Sequence, residues 1–126
     1  MKVIRIVPNL SSEAFLASRD FYAAMFDLEV SVELDGWYLQ LMPESDPKVN
    51  IGLVKPDNEL FAGRTPSSGT YGVVLTIHVD DVDEAYERAK SLRAEIPAEI
   101  RNEDYGQRHF LVVDPNALVL NVMSAI

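Results

Sequence analysis

The chain has 126 residues, 48% of them hydrophobic and 25% charged, which is the balance of a globular domain large enough to bury a core. Eleven basic residues stand against twenty acidic ones for a net charge of −9; a nucleic-acid partner, whose grip rests on neutralised phosphates, is disfavoured, and the acidity serves solubility or steers a cationic ligand. There is no cysteine, so disulfides, thiolate metal sites and cysteine nucleophiles are excluded, and with no long apolar run and no signal-peptide pattern at Met1-Lys2-Val3-Ile4-Arg5 the expectation is a cytoplasmic protein with no membrane partner.

In chain order, Val3 to Val7 is rich in β-branched residues, ends at Pro8-Asn9 and predicts a strand. A helix follows from Ser11 or Ser12 to Phe26, with Asn9, Ser11 and Ser12 as alternative caps and Phe15, Phe21, Tyr22, Met25 and Phe26 on its core side. Leu28 to Leu34 alternates loosely and meets a turn at Asp35-Gly36. Trp37 to Met42 and Val49 to Val54 are two further strand candidates, separated by the polar turn Pro43 to Lys48. A segment of low periodicity then carries Pro56, Gly63, Pro66 and Gly69, and is expected to be a linker over residues 56–70.

Val73 to Val79 predicts another strand. The helix after it is the best-signalled element of the chain. Asp81 and Glu84 fit a capping box. Val82, Ala85, Tyr86, Ala89 and Leu92 form one apolar stripe, with acidic residues early and Arg88, Lys90 and Arg93 late, as the helix dipole favours. Ala94 to Ile100, Gln107 to Val113 and Leu118 to Met123 are the last strand candidates, the final two joined by the turn Asp114-Pro115-Asn116-Ala117. The order is βαβββ, linker, βαβββ. Val7-Pro8-Asn9-Leu10 is matched by Val79-Asp80-Asp81-Val82 at the strand-to-helix junction, and Glu13-Ala14-Phe15 echoes Glu84-Ala85-Tyr86 after a one-residue shift. The expected organisation is one α+β domain over residues 1–126, with modules at about 1–55 and 71–126.

A doubled unit of this length, with Ile6-Val7-Pro8-Asn9-Leu10 before Arg19-Asp20-Phe21-Tyr22, Gly36-Trp37-Tyr38, the junction Ile77 to Ala85, and Tyr105-Gly106-Gln107-Arg108-His109-Phe110 before Asp114-Pro115-Asn116, resembles the glyoxalase/bleomycin resistance/dioxygenase (vicinal oxygen chelate) superfamily. The resemblance implies two cup-shaped mixed sheets whose concave faces enclose a ligand, and a homodimer. Metal-dependent relatives hold a divalent ion with His and Glu side chains from four strands. Aligned on the motifs, those positions fall near Lys2, within Val49 to Leu53, on Val74 and on Asn121, which are poor or impossible ligands. The resemblance is therefore to the metal-free, bleomycin-resistance-like subgroup, with no metal site and no cofactor.

Val74, Thr76 and His78 share a strand face. His78 is either a base or donor at the cup rim or a junction histidine bonded to the next turn. Arg108 and His109 alternate, so one of them faces the cup; Arg108 either clamps an anion or pairs with Glu103 or Asp104. Asn121 either bonds a ligand at the cup floor or satisfies neighbouring backbone. Trp37 and Tyr38 are expected on opposite faces, one as an aromatic wall. Phe61 is a lid residue or an ordinary loop hydrophobe. Glu103 and Asp104 are adjacent and diverge in a strand, so they make no acid/base pair. The expected ligand-binding residues are Trp37, Tyr38, Val74, Thr76, His78, Arg108 and Asn121, with no catalytic residue assigned. The function read from this is binding of a small organic molecule, as in antibiotic or toxic-metabolite sequestration. The alternatives are a glyoxalase-type lyase, isomerase or dioxygenase using a divalent metal, and a regulatory interaction module.

Overall fold

The computed structural model describes residues 1–56, 58–59 and 72–126. The elements are β1 (Asn9–Ser11), α1 (Phe15–Phe26), β2 (Leu28–Leu34), β3 (Tyr38–Pro43), β4 (Ile51–Val54), β5 (Val74–His78), α2 (Val82–Ser91), β6 (Ala98–Glu103), β7 (Gln107–Val113) and β8 (Val119–Ala125). The chain divides into two compact units, Met1–Thr70 and Tyr71–Ile126. The expected linker and Phe61 lie largely or wholly outside the described residues. This is the α+β arrangement of two βαβββ modules that the sequence implied.

In the first unit the strands run β1-β4-β3-β2, with β1 parallel to β4 and the other pairs antiparallel. The second unit repeats this as β5-β8-β7-β6. Each sheet packs its helix on one face. Tyr22 and Met25 of α1 are buried, as are Leu39, Leu41 and Leu53 of the sheet, and α1 packs on β2 and β3. Val82, Ala85 and Ala89 of α2 are buried and α2 packs on β7 and β8, where the Tyr86 and Phe110 rings meet edge to face at 5.0 Å.

Three local expectations are corrected. The first strand is not Val3–Val7 but Asn9–Ser11; Val3, Ile4 and Ile6 are exposed. The reason is the partner. β4 begins only at Ile51, and the ladder stops where the Gly52 N–H donates to the Pro8 carbonyl (2.8 Å), so the earlier β-branched run has no strand beside it. Helix α1 starts at Phe15, because Ser12, just past β1, is still bonded to the sheet: its N–H donates to the Val54 carbonyl (2.9 Å) and its Oγ accepts from the Ala14 N–H (3.0 Å). Strand β6 begins at Ala98 rather than Ala94. Arg93 is left-handed (φ 55°), and the Ala94 N–H still bonds the Ala89 carbonyl (3.1 Å), so these residues belong to the end of α2.

The internal equivalence also differs from the sequence echo. Counting back from the helix starts, Asn9 sits as Thr76 does and Val7 as Val74. Asn9 pairs with Gly52, and Thr76 with Asn121. Tyr38 pairs with Val54 and His109 with Met123, so Tyr38 and His109 are also equivalent. The apparent match of Val7 with Val79 came from similar letters and not from matching register.

Candidate functional site

The face of each sheet that is turned away from its helix carries a hydrogen-bonded polar chain. In the second unit, pairing of Thr76 with Asn121, Leu111 with Asn121, and His109 with Arg101 puts side chains from all four strands on one surface. There the Asn121 amide and the Thr76 Oγ1 lie 3.3 Å apart, Asn121 Oδ1 and His109 Nδ1 2.7 Å, and His109 Nε2 and Glu103 Oε1 3.1 Å. Arg101 closes the far end by donating to Glu103. The bond from His109, and after it the bond from Arg101, holds the Glu103 carboxyl below the usual glutamate range. Val74 and Thr76 are exposed, and Val119 and Leu111 are half-buried beside Asn121, so the polar chain runs through an apolar surround.

In the first unit the chain is shorter. The Gln40 Nε2 donates to the Tyr38 hydroxyl (3.0 Å), which donates to Asn9 Oδ1 (2.9 Å). Both side chains cross over Gly52. A Cβ there would lie 1.9 Å from Asn9 Oδ1 and 2.7 Å from the Tyr38 hydroxyl. The glycine is the space in which this contact is made.

Thr76 and Asn121 thus stand together, and His78, exposed, shares their face through its pairing with Met123. Val74 lies on the same face at the start of β5. Arg108 is on the other face. Its guanidinium binds Asp83 of α2 (2.8 Å) and Asn102 (3.0 Å), not Glu103 or Asp104, and this pairing lowers the Asp83 pKa. Trp37 and Tyr38 do not diverge as alternating strand residues would. Trp37 belongs to the turn before β3, and the two rings sit 5.7 Å apart at a 42° tilt.

Gln40 and Gly52 were not singled out in the sequence and Asn9 was read only as a helix cap, although a glycine inside the apolar run Ile51-Gly52-Leu53-Val54 is a signal of close approach. Glu103 was set aside because Asp104 cannot join it. The hairpin around Gly106 shows its true neighbour: with Glu103 opposite Gln107, Arg101 falls opposite His109.

The donor set can now be tested against the metal of metal-dependent relatives. Lys2 is exposed and outside β1; the position equivalent to Val74 is Val7, and the one equivalent to Asn121 is Gly52. Two valines and a glycine supply no donor side chain, and the Asn121 amide is a neutral oxygen already engaged with His109. These residues do not fit a divalent ion. Among the described residues no three His, Asp or Glu side chains converge on one point.

The model of the Glyoxalase/Bleomycin resistance protein/Dioxygenase superfamily matches residues 13–122. The chain belongs to this superfamily. No curated protein matches its sequence, but solved structures share its fold. A family enzyme from Burkholderia phytofirmans PsJN is similar at a TM-score of 0.80 and 18% identity, over 95% of this chain and 97% of that one. TnmS3, an antibiotic binding protein from Streptomyces sp. CB03234, is similar at 0.76 and 18% identity, over 100% and 99%. A lactoylglutathione lyase from Agrobacterium tumefaciens is similar at 0.72 and 21% identity, over 98% and 94%. The superfamily fold is therefore shared by binding proteins and enzymes, and side chains must separate them. No helix among the described residues is long and apolar enough to cross a membrane.

Proposed function

We propose that this chain is a metal-free member of the superfamily that binds a small organic molecule, with sequestration of an antibiotic or toxic metabolite as its role and a homodimer as its working form. The reading is supported by the residues at the positions that the resemblance assigns to metal donors, which are Lys2 (or Val7, the counterpart of Val74), Gly52 within Val49 to Leu53, Val74 and Asn121. In each unit the candidate surface for a guest is the face turned away from the helix. In the second unit Val74, Thr76, His78 and Asn121 offer an apolar surface with a few polar points, which is the usual composition of a small-molecule site. In the first unit Tyr38 and the neighbouring Trp37 ring offer an aromatic surface. The net charge of −9 suits a cationic guest. Arg108, committed to Asp83, takes no part.

The test is the metal content of natively purified protein, followed by a thermal-shift screen of antibiotics and small metabolites. The expected result is less than about a tenth of an equivalent of metal, unchanged after soaking in Zn²⁺, Ni²⁺, Mn²⁺ or Fe²⁺, together with guests that raise the melting temperature. About one equivalent of metal, lost on replacing His78 or His109, would overturn the reading in favour of a metal-assisted lyase or dioxygenase.

A further inference from the structure

The chain Thr76–Asn121–His109–Glu103 has a consequence for what its outer end can recognise. Glu103 is ionised and accepts only, so His109 Nε2 carries a proton. The other ring nitrogen faces the Asn121 side chain at 2.7 Å. Two arrangements satisfy the same heavy-atom positions, because an amide offers an oxygen or an NH₂ group at nearly the same place. In the first, Asn121 turns its oxygen to His109. Nδ1 must then be protonated and the ring is an imidazolium, and the Asn121 NH₂ donates to Thr76 Oγ1 at 3.3 Å. The Thr76 hydroxyl is left free to donate outward. In the second, the ring is neutral, the Asn121 NH₂ donates to Nδ1, and the amide oxygen accepts the Thr76 proton. The Thr76 oxygen is then left with lone pairs facing outward.

We propose that Thr76 is the specificity-determining group of this face, its hydroxyl donating to a ligand carbonyl or other acceptor when His109 is charged and accepting from a ligand N–H or O–H when His109 is neutral. The Asn121 amide couples the two ends by turning over. Thr76 is exposed and Asn121 and His109 are half-buried, so the outer end meets the ligand while the proton is held behind it. An acceptor ligand therefore binds with uptake of a proton and a donor ligand with release of one, as linkage requires. Among the described residues of this unit, the ionisable groups around His109 are few. Strand β6 presents Arg101 and Glu103, with Glu99 exposed at the bulge; β5 presents His78; β8 presents none; α2, with Asp83, lies against the other face, where Arg108 holds it. The ligand consequence rests on the binding role proposed above; the relay itself is readable without any ligand.

The experiment is ¹⁵N–¹H spectroscopy of the free, full-length protein across the titration of His109, with His78→Gln used to assign the two imidazoles. The expected result is an Nε2–H tautomer at high pH, with the Asn121 side-chain amide and the Thr76 methyl resonances shifting at the same midpoint as the ring. In His109→Gln the Asn121 amide becomes pH-independent, and in Asn121→Leu the Thr76 methyl does. An Nδ1–H tautomer, a ring that holds one protonation state throughout, or flat Asn121 and Thr76 signals while the ring titrates would each overturn the relay. The tautomer and the shared midpoint are read on the unsubstituted protein, so they stand even if a variant fails to fold. Bound metal found in the same samples would overturn the binding role, whereas flat signals in metal-free protein would overturn only the relay.

Discussion

Gly52 shows how one residue can decide a surface. Its missing side chain is the space occupied by Asn9 and the Tyr38 hydroxyl. Gly52→Ala is expected to push both flexible side chains away and lose their hydrogen bonds, lowering stability by about 1–3 kcal/mol. Tyr38→Phe removes the same bonds without the clash and is expected to cost about 1 kcal/mol. Because both changes break one contact, the double variant should lose less than the sum, as measured by urea unfolding; additive losses would mean that glycine matters there for another reason. Glu103 allows a second test at this scale. Its carboxyl is held below the ordinary glutamate value of 4.5, chiefly by His109 and then by Arg101. A group with a depressed folded pKa stabilises the fold above its unfolded pKa, and that contribution disappears as the pH falls through the folded value. Glu103→Gln should therefore melt below the parent at neutral pH, with the gap closing in acid below the glutamate range. Thermal unfolding of both proteins over that range decides it, and a constant gap would show that the charge contributes nothing.

The two helices, taken as elements, show why one half of the chain was easier to read than the other. Helix α2 announces its start: the Asp81 side chain accepts from the Glu84 N–H (3.0 Å), and the predicted boundary falls where the structure has it. Helix α1 begins at Phe15, with Ala14 at the cap position making no side-chain hydrogen bond, and the serines that looked like caps are still engaged with the sheet. Strand propensity misled in a similar way at Val3–Val7, since a strand exists only where a partner lies beside it. Register explains most of what the sequence hid at the site. Which residue faces Asn121 depends on a parallel pairing far along the chain, whereas the Glu103–His109 contact was hidden only by the hairpin around Gly106. Replacing the cap, Asp81→Ala, is expected to cost about 0.5–2 kcal/mol. Arg108→Met, which removes a solvent-screened pair between β7 and α2, should leave the urea midpoint nearly unchanged. It should also leave affinity for any guest unchanged. Urea unfolding and a binding titration measure the two, and a loss of binding in Arg108→Met would return that residue to the site.

At the scale of the whole chain, both units repeat one strand order with matching register, yet the paired positions have diverged. Val7 and Val74 remain alike, whereas Gly52 has no side chain and its counterpart Asn121 is the centre of a polar chain. The fold was legible because a repeated βαβββ pattern survives such changes; the chemistry of the faces does not follow from the repeat. This divergence has a thermodynamic consequence. A resident metal present at about a thousand times its dissociation constant would add about 4 kcal/mol to folding. Removing it would lower the melting temperature by roughly 8–30 °C for domains of about this size. On the metal-free reading proposed above, with no donors at Val7, Gly52 and Val74, the chain has no such contribution to lose. Excess chelator is expected to move its melting temperature by less than about 2 °C, and adding Zn²⁺ or Ni²⁺ back should not raise it. A drop in the larger range, reversed by one equivalent of metal, would mean that other side chains of the chain supply a metal site that these four positions lack.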